Sequence, residues 1–113
     1  MPHCIVEYSK NIEEMISPQV LVKSVHQAAV DSDLFEEASI KTRALAFDYY
    51  QTGKGDTAFI HLNIKILQGR NHQQKKALAD LMLQALVDIA KSPISLTVEI
   101  VDIEKVSYKK TVL

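Results

Sequence analysis

The chain opens Met-Pro-His-Cys-Ile-Val-Glu-Tyr-Ser-Lys, which places a proline where an aminopeptidase trims the initiator methionine. Once Met1 is removed, the ring nitrogen of Pro2 is a free secondary amine. In an apolar pocket such an amine is a good general base, because burial disfavours its cation and brings its pKa toward working pH. Unlike a lysine, it has no flexible stem to order. The same dipeptide also fits a permissive start with Pro2 an ordinary strand-edge residue. If Met1 stays, the nitrogen is an amide and cannot act as a base.

Two groups of cations could serve an acid substrate. In Gly69-Arg70-Asn71 the glycine lets the chain turn. Arg70 then stands at the start of a helix whose free amides already attract anions, and its planar guanidinium matches a carboxylate. In Lys41-Thr42-Arg43 the cations are two apart, so on a strand both point to one face. There they repel unless an acidic partner or a ligand lies between them, which makes them a candidate carboxylate clamp. Each group also has a plain reading, as a solvated turn arginine or as a basic strand face paired with Asp or Glu. His3 and His61 are the histidines that could ligate a metal or exchange protons, but no Cys/His/Asp/Glu spacing supports a metal site, and both also read as structural strand residues. Cys4 alternates away from His3 and is expected in the core as an inert thiol.

Composition narrows the functions these residues can serve. The 113 residues suit one domain with its own core. Thirteen basic against fourteen acidic residues leave a net charge of -1, with no basic run interleaved with aromatics, which argues against nucleic acid. A single cysteine excludes an internal disulfide and suits a reducing compartment. No signal-like leader and no apolar run near the roughly 20 residues of a membrane span is present, so the cytoplasm is the expected location. There is no phosphate-binding glycine loop or dinucleotide fingerprint.

The elements that must position these groups follow from periodicity. Residues 3–8 are short and rich in β-formers, so Pro2 sits at a strand terminus. Ser17 and Pro18 cap and start a helix whose apolar face carries Leu21, Val22, Val25, Ala28 and Ala29. Residues 40–50 read as a second strand, and Thr-Gly-Lys-Gly-Asp as a turn into a third, where Phe59, His61, Asn63 and Lys65 alternate with Ile60, Leu62, Ile64 and Ile66. Asn71 caps a second helix, with Leu78, Leu81, Met82, Ala85, Leu86 and Ile89 at three- and four-residue steps, and Pro93 ends it. Residues 94–108 read as the last strand. The order β-α-β, β-α-β divides the chain into similar halves, about 1–54 and 55–113, within one domain. The expected fold is α+β: a four-stranded mixed sheet of tandem β-α-β units with two helices on one face. The glycine turn favours an antiparallel pairing of the two strands it joins. Apolar residues on both sides of the third and fourth strands leave a bare face, which calls for another copy of the chain.

Taken together, the start Met-Pro-His-Cys-Ile-Val-Glu-Tyr-Ser, the segments 40–47 and 57–78, and Leu-Thr-Val-Glu-Ile at 96–100 resemble the tautomerase superfamily. Within it they are most similar to the 5-carboxymethyl-2-hydroxymuconate delta-isomerase family. That resemblance implies a tautomerase-like trimer with sites near subunit interfaces and no cofactor. It implies proline-base catalysis of a proton shift in homoprotocatechuate breakdown, from a carboxylated 2-hydroxymuconate dienol to its 2-oxo ketone. It assigns Pro2, Arg43 and Arg70 to catalysis and Lys41, Phe47 and His3 to substrate binding. Lys41 stands where close relatives carry another arginine, so charge is kept and a bidentate fork is lost. The segment Ala46-Phe47-Asp48-Tyr49-Tyr50-Gln51 departs from the family's pocket wall. Two alternatives accompany this reading: a tautomerase of another enol or keto acid, and a non-catalytic trimeric module of the same fold.

Overall fold

Ile60, Leu62, Ile64 and Ile66 take every second position of one strand and are all fully buried, so this strand sets which side of the sheet is the core. The computed structural model describes residues 1–113. Its strands are β1 (His3–Ser9), β2 (Lys41–Phe47), β3 (Ala58–Leu67) and β4 (Ile94–Ile103). Its helices are α1 (Pro18–Asp31) and α2 (His72–Ile89), with short 3-10 turns at Lys10–Glu14, Glu37–Ser39 and Lys105–Ser107. The sheet order is β2-β1-β3-β4. The pairs β1–β2 and β3–β4 are parallel, and β1–β3 is antiparallel.

Both helices lie on the side of Cys4, Val6, Tyr8 and the buried β3 residues. Leu21, Val25, Ala28 and Ala29 of α1 and Leu78, Met82 and Leu86 of α2 fill the layer between. Each fully buried Leu or Ile there contributes about 1.5–3 kcal/mol through the surface it removes from water. The helix starts are fixed by side chains. Ser17 accepts from the Gln19 amide at 3.2 Å, while Asn71 and Gln74 form a reciprocal capping box.

Several expectations are corrected. The glycine turn does not pair the strands it joins: β2 is an edge strand and β1 lies between it and β3. The turn closes on itself instead, through reciprocal Thr52 and Gly55 backbone bonds of 3.1 and 3.0 Å. The reason lies in coverage. The inward Cys4, Val6 and Tyr8 of β1 are 4% exposed or less and need a strand on each side, whereas the inward Thr42, Ala44 and Ala46 of β2 are small and only half-buried, which an edge tolerates. β2 ends at Phe47, leaving Tyr49 fully exposed, and β4 ends at Ile103, short of Tyr108. The outer sheet face is also less apolar than expected. Its middle carries His61, Asn63, Thr97 and Glu99, with His61 Nδ1 2.7 Å from Thr97 Oγ1 and Nε2 3.4 Å from Glu99.

Candidate active site

Topology gathers one end of every strand. Because β2 runs with β1, and β3 and β4 run against it, the starts of β1 and β2 meet the ends of β3 and β4. Pro2, His3, Lys41 and the β3–α2 junction with Arg70 are thereby brought to the same edge of the sheet. The side chain of Pro2 is fully buried, and its carbonyl accepts from the Lys41 amide at 3.1 Å. Its nitrogen carries Met1 in an amide bond, and the Met1 ammonium donates to the Ser39 carbonyl at 3.0 Å. That ammonium is held below its ordinary pKa of 8.0 by burial first, then by Lys41 and Lys110; the weak opposing influence is Cys4.

His3 and Arg43 share the outer face of the sheet. An Arg43 guanidinium N–H donates to His3 Nδ1 at 3.1 Å, and His3 Nε2 lies 3.0 Å from the Tyr108 hydroxyl. A guanidinium has only donors, so Nδ1 accepts and the neutral ring carries its proton on Nε2, directed at Tyr108. The Tyr108 ring stands edge-on to the imidazole, with centroids 6.0 Å apart. Burial, then Arg43, then the amino terminus, Lys41 and Lys65 hold the His3 pKa below 6.5.

Arg70 takes a different direction. Gly69 adopts φ +127, a conformation in which a side chain is strained, and this bend aims Arg70 at the α1–β2 connection. There Nη2 donates to the Leu34 carbonyl at 2.6 Å, and the guanidinium lies 5.2 Å from the centre of the Phe35 ring. Lys41 and Arg43 do share a face, as their spacing predicts, but Arg43 is turned to His3, and Lys41 Nζ lies 3.4 Å from the Ser39 carbonyl. Phe47 is not brought to this group within one chain. It pairs with Ser9 at the far end of β2, roughly 20 Å from Lys41 at the rise of an extended strand.

Cys4 is fully buried, and burial pushes its thiol up to about 11, so it is a core group and no nucleophile at neutral pH. His61 belongs to the outer face, away from Pro2. The largest surface depression, about 440 Å³, is bounded by Tyr8, Pro18 and Ala44 at the other end of β1. Sequence reading missed Tyr108 and Lys110. Both lie after the last strand, where no periodicity places them, and only the folded path returns them to His3 and Ser39.

Comparison with known proteins adds to this geometry. A family model described as 5-carboxymethyl-2-hydroxymuconate isomerase matches residues 2–113. The 5-carboxymethyl-2-hydroxymuconate Delta-isomerase of Escherichia coli is 30% identical over 88 residues, covering 76% of this chain and 70% of that protein. The crystal structure of a 5-carboxymethyl-2-hydroxymuconate isomerase from Deinococcus radiodurans R1 superposes with a TM-score of 0.84 at 26% identity, covering 97% of this chain and 88% of that one. A fused 4-OT symmetric trimer superposes at 0.73 with 21% identity, over 91% and 86% of the two chains, which is a likeness of fold.

Proposed function

The chain belongs to the 5-carboxymethyl-2-hydroxymuconate isomerase family and is an isomerase of tautomerase fold; from that premise we propose that Pro2, freed of Met1, is its general base. The substrate is a carboxylated 2-hydroxymuconate-type dienol, 5-carboxymethyl-2-hydroxymuconate first among them. The proline amine takes the proton from the enol hydroxyl, and the electron pair moves along the conjugated chain to form the ketone. The same proton is then delivered to a distant carbon, so the reaction is a shift with no net change in atoms. Arg43 and Arg70 stabilise the charge that develops on oxygen and carboxylate, Lys41 and His3 help to bind the substrate, and no cofactor takes part.

The observation that carries this reading is the setting of the chain's first residues. The Pro2 ring is buried, its carbonyl is fastened to Lys41, and the adjoining amino group is held below its ordinary pKa by burial and by neighbouring cations. An amine introduced at this point is favoured in its neutral, proton-accepting form. We further propose a homotrimer. The fold neighbour described as a symmetric trimer supports it. So does Asn63 Oδ1 on the outer face, which is shielded from water and has no donor within the chain. Phe47 then lines a site only if assembly brings the β2 end of a neighbouring copy to it.

The test is intact mass of untagged protein, followed by absorbance assays of dienol ketonisation on the same sample. The expected result is a mass lacking methionine, turnover above buffer, and a loss of at least about a hundredfold in Pro2→Ala, the low end of what a positioned base contributes. Turnover unaffected in Pro2→Ala, turnover in protein that retains methionine, or no turnover in protein that has lost it, refutes the proline base. A second substrate class, another enol or keto acid, is favoured by one feature: Lys41 presents a point charge and no fork.

A further inference from the structure

Three cationic nitrogens converge on one residue at the Pro2 end of the sheet. The Met1 ammonium lies 3.0 Å and Lys41 Nζ 3.4 Å from the Ser39 carbonyl, and Lys110 Nζ lies 3.3 Å from Ser39 Oγ. The Arg43 guanidinium, on the same strand face as Lys41, is held by His3. None of these cations has a carboxylate partner: the ion pairs of the chain are Lys10–Glu13, His61–Glu99, Lys75–Asp102 and Lys76–Asp80. Like charges gathered with only neutral oxygens between them repel, and an anion placed among them relieves that repulsion.

Lys110 reaches this place because the segment after β4 is fastened at successive points. The Lys105 amide donates to Gln68 Oε1 at 2.7 Å, and Tyr108 meets His3 by hydrogen bond and ring edge. These anchors lay the segment back across the sheet end, so that Lys110 comes from 71 residues away in sequence to Ser39.

We propose that Lys110, with Lys41, forms a subsite for one carboxylate of a polyanionic substrate and so sets the preference for multiply charged enols. This rests on the isomerase reading above and adds to it a residue from the C-terminal segment. On removal of Met1 its ammonium leaves the cluster, Lys41 and Lys110 remain as the cations at Ser39, and the proline nitrogen becomes the amino terminus beside them. A carboxylate held there neutralises Lys41 and Lys110 while the reacting enol faces Pro2.

Wild type, Lys110→Gln and Lys110→Arg are compared on a three-carboxylate dienol and on a one-carboxylate enol. In Lys110→Gln the ratio of kcat/KM for the three-carboxylate over the one-carboxylate substrate is expected to fall roughly tenfold, as loss of one charge-assisted contact implies. The loss is carried by KM, and Lys110→Arg restores most of it. Equal losses on both substrates, or none, overturn the subsite. Calorimetric binding of tricarballylate, a saturated tricarboxylate that cannot react, is measured on the same proteins. If wild type that has lost Met1 has no turnover but binds tricarballylate roughly tenfold more tightly than Lys110→Gln, the subsite stands and the proline-base reading falls. Equal binding by both, or none by wild type, overturns the subsite whatever the kinetics.

Discussion

His3 shows how one residue's protonation state follows from its neighbours. Arg43 can only donate, so Nδ1 must accept, and protonation of that nitrogen breaks the bond and sets two cations against each other. Burial acts in the same direction, and the folded pKa lies below the ordinary 6.5. Between those two values the unfolded chain binds the extra proton and the folded chain does not, so stability rises with pH there. The contribution is complete above 6.5 and is lost as pH falls through the folded value. We expect the urea midpoint of the wild type to drop from about pH 7.5 to about pH 5, and to drop less in His3→Gln, which removes the titrating group. Equal drops in the two proteins would place the acid sensitivity elsewhere.

At the scale of elements, the β3–α2 junction does two jobs within three residues. Gly69 supplies the positive φ that turns the chain, and a Cβ there would meet nothing within 4 Å, so the requirement for glycine is one of backbone conformation and not of space. Arg70 is aimed by that turn, and Asn71 then starts α2 by accepting from the Gln74 amide at 2.8 Å while Gln74 Oε1 accepts from the Asn71 amide at 2.9 Å. Replacing Asn71 by Ala is expected to cost about 1 kcal/mol in urea unfolding. A loss near zero would mean that the packing of Leu78, Met82 and Leu86 alone fixes where the helix begins. The junction was legible because glycine, a cap residue and the onset of a 3.6-residue period follow one another. The Lys105–Ser107 turn that ends in Tyr108 carries no comparable signal.

For the whole molecule, the outer face of the sheet is the open surface. It is polar in its middle, through His61, Asn63, Thr97 and Glu99, and holds a shielded, unpartnered amide oxygen at Asn63. A face of that kind is poorly suited to a dry apolar contact and well suited to a hydrogen-bonded one between copies. The proposed trimer is therefore expected to sediment at about three times the 12.7 kDa chain mass, and a chain that remains at its own mass at assay concentrations argues against it. The sheet order belongs to this scale as well. Which strand occupies the edge depends on how completely each one's inward residues must be covered, and that is a property of the assembled layer.

The sequence by itself determined the order of strands and helices, the α+β class, the caps at Ser17 and Asn71, the core thiol at Cys4 and the family, because each is written in residues near one another in the chain. Periodicity, capping and side-chain type act over a few residues, and the polypeptide has only two soft angles per residue with which to satisfy them. Only the tertiary structure decided that β1 separates β2 from β3, that Arg43 is held by His3 while Arg70 turns to Leu34 and Phe35, and that Phe47 lies at the opposite end of its strand. It alone returned Tyr108 and Lys110 to the first residues of the chain. Those outcomes join groups tens of residues apart. They are settled by which surfaces must be covered together, and no local pattern encodes that.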